Sequence, residues 1–115
     1  MNIENMTIGQ AREVAALFGG GARAEEVEVS PYDVGANYLI RTVTMTYTGR
    51  LVSVGRLELV LVDAAWIADS GRWADAVAKS VFNEVEPYPD GERVVIGRGA
   101  VLDAVKITTL PRVQK

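Results

Sequence analysis

Over residues 38–52, β-branched and aromatic side chains dominate. Ile40, Thr42 and Thr44 alternate with Arg41, Val43 and Met45, the period-two pattern of a strand with one face turned inward. The run exceeds an ordinary strand, and Thr48-Gly49 predicts a bend into a second strand. Gly55-Arg56 marks a hairpin turn, after which Leu57, Leu59 and Leu61 share one face of a third strand. Two short strands, 94–96 and 101–107, flank an Arg98-Gly99 turn; Pro89-Asp90-Gly91 is a further turn and Pro111 ends regular structure. Helical spacing occurs twice. Thr7 and Gln10 form a capping box before Ile8, Ala11, Val14, Ala15 and Phe18, and Gly19-Gly20-Gly21 stops that helix. Asp69-Ser70 caps a second helix over 71–81, with Trp73, Ala76, Val77 and Val81 along one side.

These elements predict a single domain, residues 1–115: an N-terminal helix (7–18), a barrel (37–107) with helix 71–81 inserted, and a tail (108–115). The polar connector between helix and barrel holds Glu25, Glu26 and Glu28, with a brief edge strand at 27–29. The fold class is mainly β with two short helices. Sequential pairing through tight turns gives a small, strongly bent antiparallel barrel of SH3-like or Sm-like form. At 115 residues such a sheet leaves edge strands to be covered, and pairing between copies, a homo-oligomer, is the economical cover.

Composition narrows the chemistry. With neither His nor Cys, nucleophilic triads, zinc sites and ordinary haem ligation are excluded, so no enzyme, cofactor or metal is expected. No apolar run reaches membrane-spanning length, the first ten residues lack a secretory pattern, and the absent cysteines leave a cytoplasmic setting as the default. A net charge of −3 argues against duplex DNA as a partner. The cations are unevenly typed, nine Arg against three Lys, and the planar guanidinium suits phosphate and flat rings. The candidate site is the stretch 66–73, where Trp66, Ser70, Arg72 and Trp73 gather around the start of the second helix. Helix-terminal N–H groups favour an anion and indoles stack on a nucleobase. Arg41, Tyr47 and Arg98 at neighbouring strand ends complete a pocket for a phosphate-bearing ligand. In a ring of subunits, Arg98 would converge on a central pore.

Gly49-Arg50-Leu51, the alternating Leu57–Leu61 stretch and Asp63-Ala64 resemble the first motif of the Sm/LSm family; Val94-Val95-Ile96-Gly97-Arg98-Gly99-Ala100-Val101 resembles the second. Ile40-Arg41-Thr42, Thr48-Gly49-Arg50-Leu51, Ala64-Ala65-Trp66-Ile67 and the short helical segment Ser70–Ala74 are similar to small proteins of tailed bacteriophages and prophages. The resemblance implies an Sm-like core and a phage protein acting in the host bacterial cytoplasm. With no catalytic chemistry in view, the expected function is sequestration: an oligomeric sponge for a small, cyclic nucleotide signal of bacterial immunity, hence anti-defence. An Sm-like RNA-binding protein and a virion ring or decoration component are the alternatives.

Overall fold

A computed structural model describes residues 30–115. The helix expected over 7–18 and the strand at 27–29 lie outside the described residues. The chain divides into two compact units, Met1–Pro31 and Tyr32–Lys115, and the second carries β1 (Asn37–Thr42), β2 (Thr46–Val54), β3 (Glu58–Asp69), α1 (Trp73–Lys79), β4 (Glu84–Pro87), β5 (Val94–Gly97) and β6 (Val101–Lys106). All six strands join one antiparallel sheet in the order β4-β3-β2-β1-β6, with β5 also on β3. The architecture is thus mainly β, with one α-helix among the described residues. The sheet does not close: its border strands β5 and β6 are joined through the single 3₁₀ turn Arg98–Ala100 rather than paired with each other.

β3 is the axis of this arrangement. It pairs with β2 over Leu59–Trp66, with β5 over Glu58–Leu61, and with β4 from Ala65 onward. The change of partner falls at a bulge between Val62 and Ala65, where Asp63 takes a left-handed conformation (φ 52°). Asp tolerates that region better than most residues. Its carboxylate is held by the Gly91 N–H at 3.0 Å and the Arg50 guanidinium at 3.6 Å. Bulges bend the strand that carries them and sharpen its twist, and this one splits a twelve-residue strand between two neighbours.

Two cores result. Tyr38, Ile40, Leu51, Leu59, Leu61, Ala64 and Ile96 bury one face, with Val101 and Ala104 of β6 packed against them. On the opposite face Leu39, Ala65, Ile67, Val85 and Ile107 meet Ala76 of α1 and Phe82. Burial of this kind contributes on the order of 25 cal/mol per Å² of apolar surface.

Four sequence expectations change. The first two strands part at the Thr42–Met45 turn, not at Thr48-Gly49. Thr42 closes that turn itself: its N–H donates to the Met45 carbonyl at 2.7 Å and its hydroxyl accepts the Met45 N–H at 2.9 Å. Gly49 instead sits mid-strand in a close approach, where a Cβ would stand 2.9 Å from Leu61 Cβ. Leu57 belongs to the β2–β3 turn and is exposed, unlike Leu59 and Leu61. The second helix starts at Trp73 with Arg72 as its N-cap and no side-chain cap; the Asp69 carboxylate accepts the Gly71 N–H at 2.9 Å instead. Finally, β4 has no counterpart in the sequence reading, since only Val85 in it is buried.

Candidate functional site

The β1–β2 turn (residues 42–45) and its flanks face residues 66–68 of β3 across an open cleft of about 270 Å³. It is lined by Arg41, Trp66 and three threonines, Thr42, Thr44 and Thr46, together with the apolar Val43, Met45, Ile67 and Ala68. Strand register decides which side each residue serves. Ile40 pairs with Tyr47 and Tyr47 with Trp66, so Tyr47 and Trp66 share the face of the first core. Arg41 points to the other face, where its guanidinium lies 4.7 Å from the Trp73 ring centroid in a cation–π stack. An aromatic group therefore flanks each side of the turn.

Arg41 carries the main charge of this end. Its Nε donates to Asp103 Oδ1 at 2.9 Å and its Nη2 to Asp103 Oδ2, a two-pronged pairing across β1 and β6. The same hydrogen bonds hold the Asp103 carboxyl below the usual carboxylate range and raise Arg41 further above neutrality. On the other face, burial pushes the Tyr47 phenol above its ordinary value, with Tyr88 beside it adding to the effect. The Tyr47 hydroxyl reaches Met45 Sδ at 3.1 Å.

Of the candidates, the structure places Arg41 and Trp66 in the lining of the cleft, and Tyr47 and Trp73, like the remaining three, outside that lining. Ser70 turns its hydroxyl to the Gly71 carbonyl at 3.4 Å, and neither it nor Arg72 lines the cleft. α1 is seven residues long, with Asp75 in its first turn and the Asp69 carboxylate on the N–H just before it. Carboxylates thus occupy the place where the sequence reading put a bound anion. Arg98 is not a hairpin tip. It begins the 3₁₀ turn, its Nη1 donates to the Gly55 carbonyl at 2.7 Å, and its guanidinium lies 5.5 Å from the Tyr32 ring centroid. Those contacts tie the β5–β6 connection to the β2–β3 turn, and Arg98 does not line the cleft.

Asp103, Met45 and Tyr88 escaped the sequence reading. An acidic residue inside an apolar strand is a signal, but its partner depends on the β1–β6 register, which no local pattern specifies. Among the described residues no three acidic side chains converge as metal ligands, and no helix is long and apolar enough to cross a membrane. Comparison with protein-family models, with curated proteins and with solved structures finds no match for the chain.

Proposed function

We propose that this chain is a non-enzymatic, homo-oligomeric phage protein that sequesters a small nucleotide in the host bacterial cytoplasm, on a core of SH3-like or Sm-like barrel type. The observation that carries the reading is the cleft at the β1–β2 turn, lined by Arg41, Trp66 and three threonines, with Trp73, which does not line the cleft, stacked on the Arg41 guanidinium. Indoles and a stacked guanidinium suit a nucleobase, and a guanidinium with threonine hydroxyls suits a phosphate. The six-stranded antiparallel sheet, with a 3₁₀ turn joining β5 to β6, is compatible with the barrel type. Sequestration asks for affinity without turnover, which fits a chain lacking His and Cys. The test is thermal unfolding of the purified protein against a panel of cyclic oligonucleotides and NAD-derived signals. At least one member should raise the midpoint by several degrees; no shift with any member removes the reading.

One observation favours a second reading, a ring or decoration component of the virion. Among the described residues β5 pairs only with β3 and β6 only with β1, and Val95 and Leu102 on them are exposed. Such borders suit pairing with further copies. Mass spectrometry of purified particles decides it, since a structural component is present in fixed stoichiometry and a sponge is not.

A further inference from the structure

We propose that each cleft holds a single nucleotide unit, so that a cyclic dinucleotide is captured by two copies of the chain, with one base and one phosphate in each cleft. The inference rests on reading the cleft as a nucleotide site and states what the homo-oligomer contributes to it.

Beyond Tyr47–Trp66, the last β2–β3 pair, β3 runs on through Ile67 and Ala68, and the cleft opens between these residues and the β1–β2 turn. Its volume is about 270 Å³, whereas pockets that engulf a whole drug-sized ligand measure about 300–1,000 Å³. The space therefore suits part of a dinucleotide. The lining is matched to the same size of ligand. Trp66 is its single aromatic side chain and Arg41 its single charged one, enough for one stacked base and one phosphate. A cyclic dinucleotide has two of each. Trp66, Met45 and Val43 at the cleft are 38, 41 and 68% exposed, so a base stacked on Trp66 keeps an uncovered side. In the captured state a second copy covers it. A cyclic dinucleotide with two identical bases has a two-fold axis of its own. Two identical clefts related by that axis meet both halves equally, and two-fold pairs are the commonest symmetric assembly. Once one half is seated the other binds within the same complex, which raises the overall affinity by about 10²–10⁴-fold without any new kind of contact.

The test uses the full chain, with cyclic AMP and cyclic GMP as one-unit probes and cyclic di-AMP and cyclic di-GMP as two-unit probes. Calorimetric titration counts ligands per chain, and native mass spectrometry counts chains per bound ligand. In at least one base series the one-unit probe should bind one per chain. The two-unit probe of that series should bind one per two chains, about a hundredfold tighter or more. Each captured dinucleotide uses Trp66 twice, so Trp66→Ala should weaken the two-unit probe by about the square of its effect on the one-unit probe. Trp66→Phe, which keeps a ring to stack on, should weaken both by less. One two-unit probe per chain, equal affinity for the two probes, or no binding in either series overturns the proposal. A thermal shift with an NAD-derived signal alone overturns the bridging and leaves the sponge reading standing, whereas silence across the whole nucleotide panel removes both.

Discussion

Gly49 and Thr48 are neighbours on β2 and face opposite cores. Thr48 is fully buried on the α1 side and its hydroxyl has no hydrogen-bond partner among the described residues, while Gly49 lets β2 settle onto Leu61 and Ala64. A Cβ at position 49 would meet Leu61 Cβ at 2.9 Å, Leu61 Cδ1 at 3.0 Å and Ala64 Cβ at 3.3 Å, all on fully buried side chains. Gly49→Ala should therefore destabilise the protein by about 1–3 kcal/mol, the usual range for overpacking a tight core. Urea denaturation measures this, and an unchanged midpoint would mean that the strands do not approach this closely. The sequence singled out Gly49 as a bend, and the structure makes it a close approach within a continuous strand instead. Residue identity alone could not choose, because the competing turn at 42–45 contains neither Gly nor Pro and is closed by the Thr42 hydroxyl.

At the scale of elements, α1 is too short to hold itself together in water. It persists because Ala76 and Val77 pack on the second core and because Ser80 adopts the left-handed C-cap (φ 57°, ψ 39°), its N–H returning to the Ala76 carbonyl at 3.1 Å. A residue with a Cβ is strained there by about 1 kcal/mol or more, and glycine is the usual occupant. Ser80→Gly should raise stability by about 1 kcal/mol, offset slightly by the loss of the 3.4 Å contact from the Thr109 N–H. Thermal unfolding reads this as a higher midpoint, and a lower midpoint would show that the hydroxyl contact outweighs the backbone strain. The helix itself was legible from Trp73, Ala76 and Val77 at helical spacing. Its start was not, since Asp69 had a competing use at the Gly71 N–H and at the Asn83 side chain.

For the molecule as a whole, the segment after β6 ties the layers together. Arg112 donates to the Ala64 and Tyr88 carbonyls, both at 2.7 Å, and Val85 and Lys115 exchange backbone hydrogen bonds along the outer side of β4. Tyr88, so anchored, packs with Tyr47 against the first core. Because burial raises the Tyr47 pKa in the folded state, folding favours the neutral phenol. The contribution is fully present below the ordinary tyrosine value of about 10 and is lost as pH rises through the raised folded value. Urea midpoints of wild type should therefore fall more steeply above about pH 10 than those of Tyr47→Phe. Parallel profiles would place the phenol in water.

Period-two alternation along β1 to β3, the Gly55 hairpin and the Pro-Asp-Gly turn were enough to specify a sheet-rich chain with a short helix after the third strand. Those signals are local: each is a preference of a few residues for one backbone shape or one buried face. Which strands become neighbours, how Asp63 divides β3 between β4 and β5, and why Arg41 meets Asp103 and Trp73 while Arg98 turns to Gly55 and Tyr32 were decided only in three dimensions. Each depends on register between segments up to 68 residues apart, as in the Tyr38–Lys106 pair, and register is settled by the simultaneous packing of both faces of the sheet rather than by any stretch of sequence taken alone.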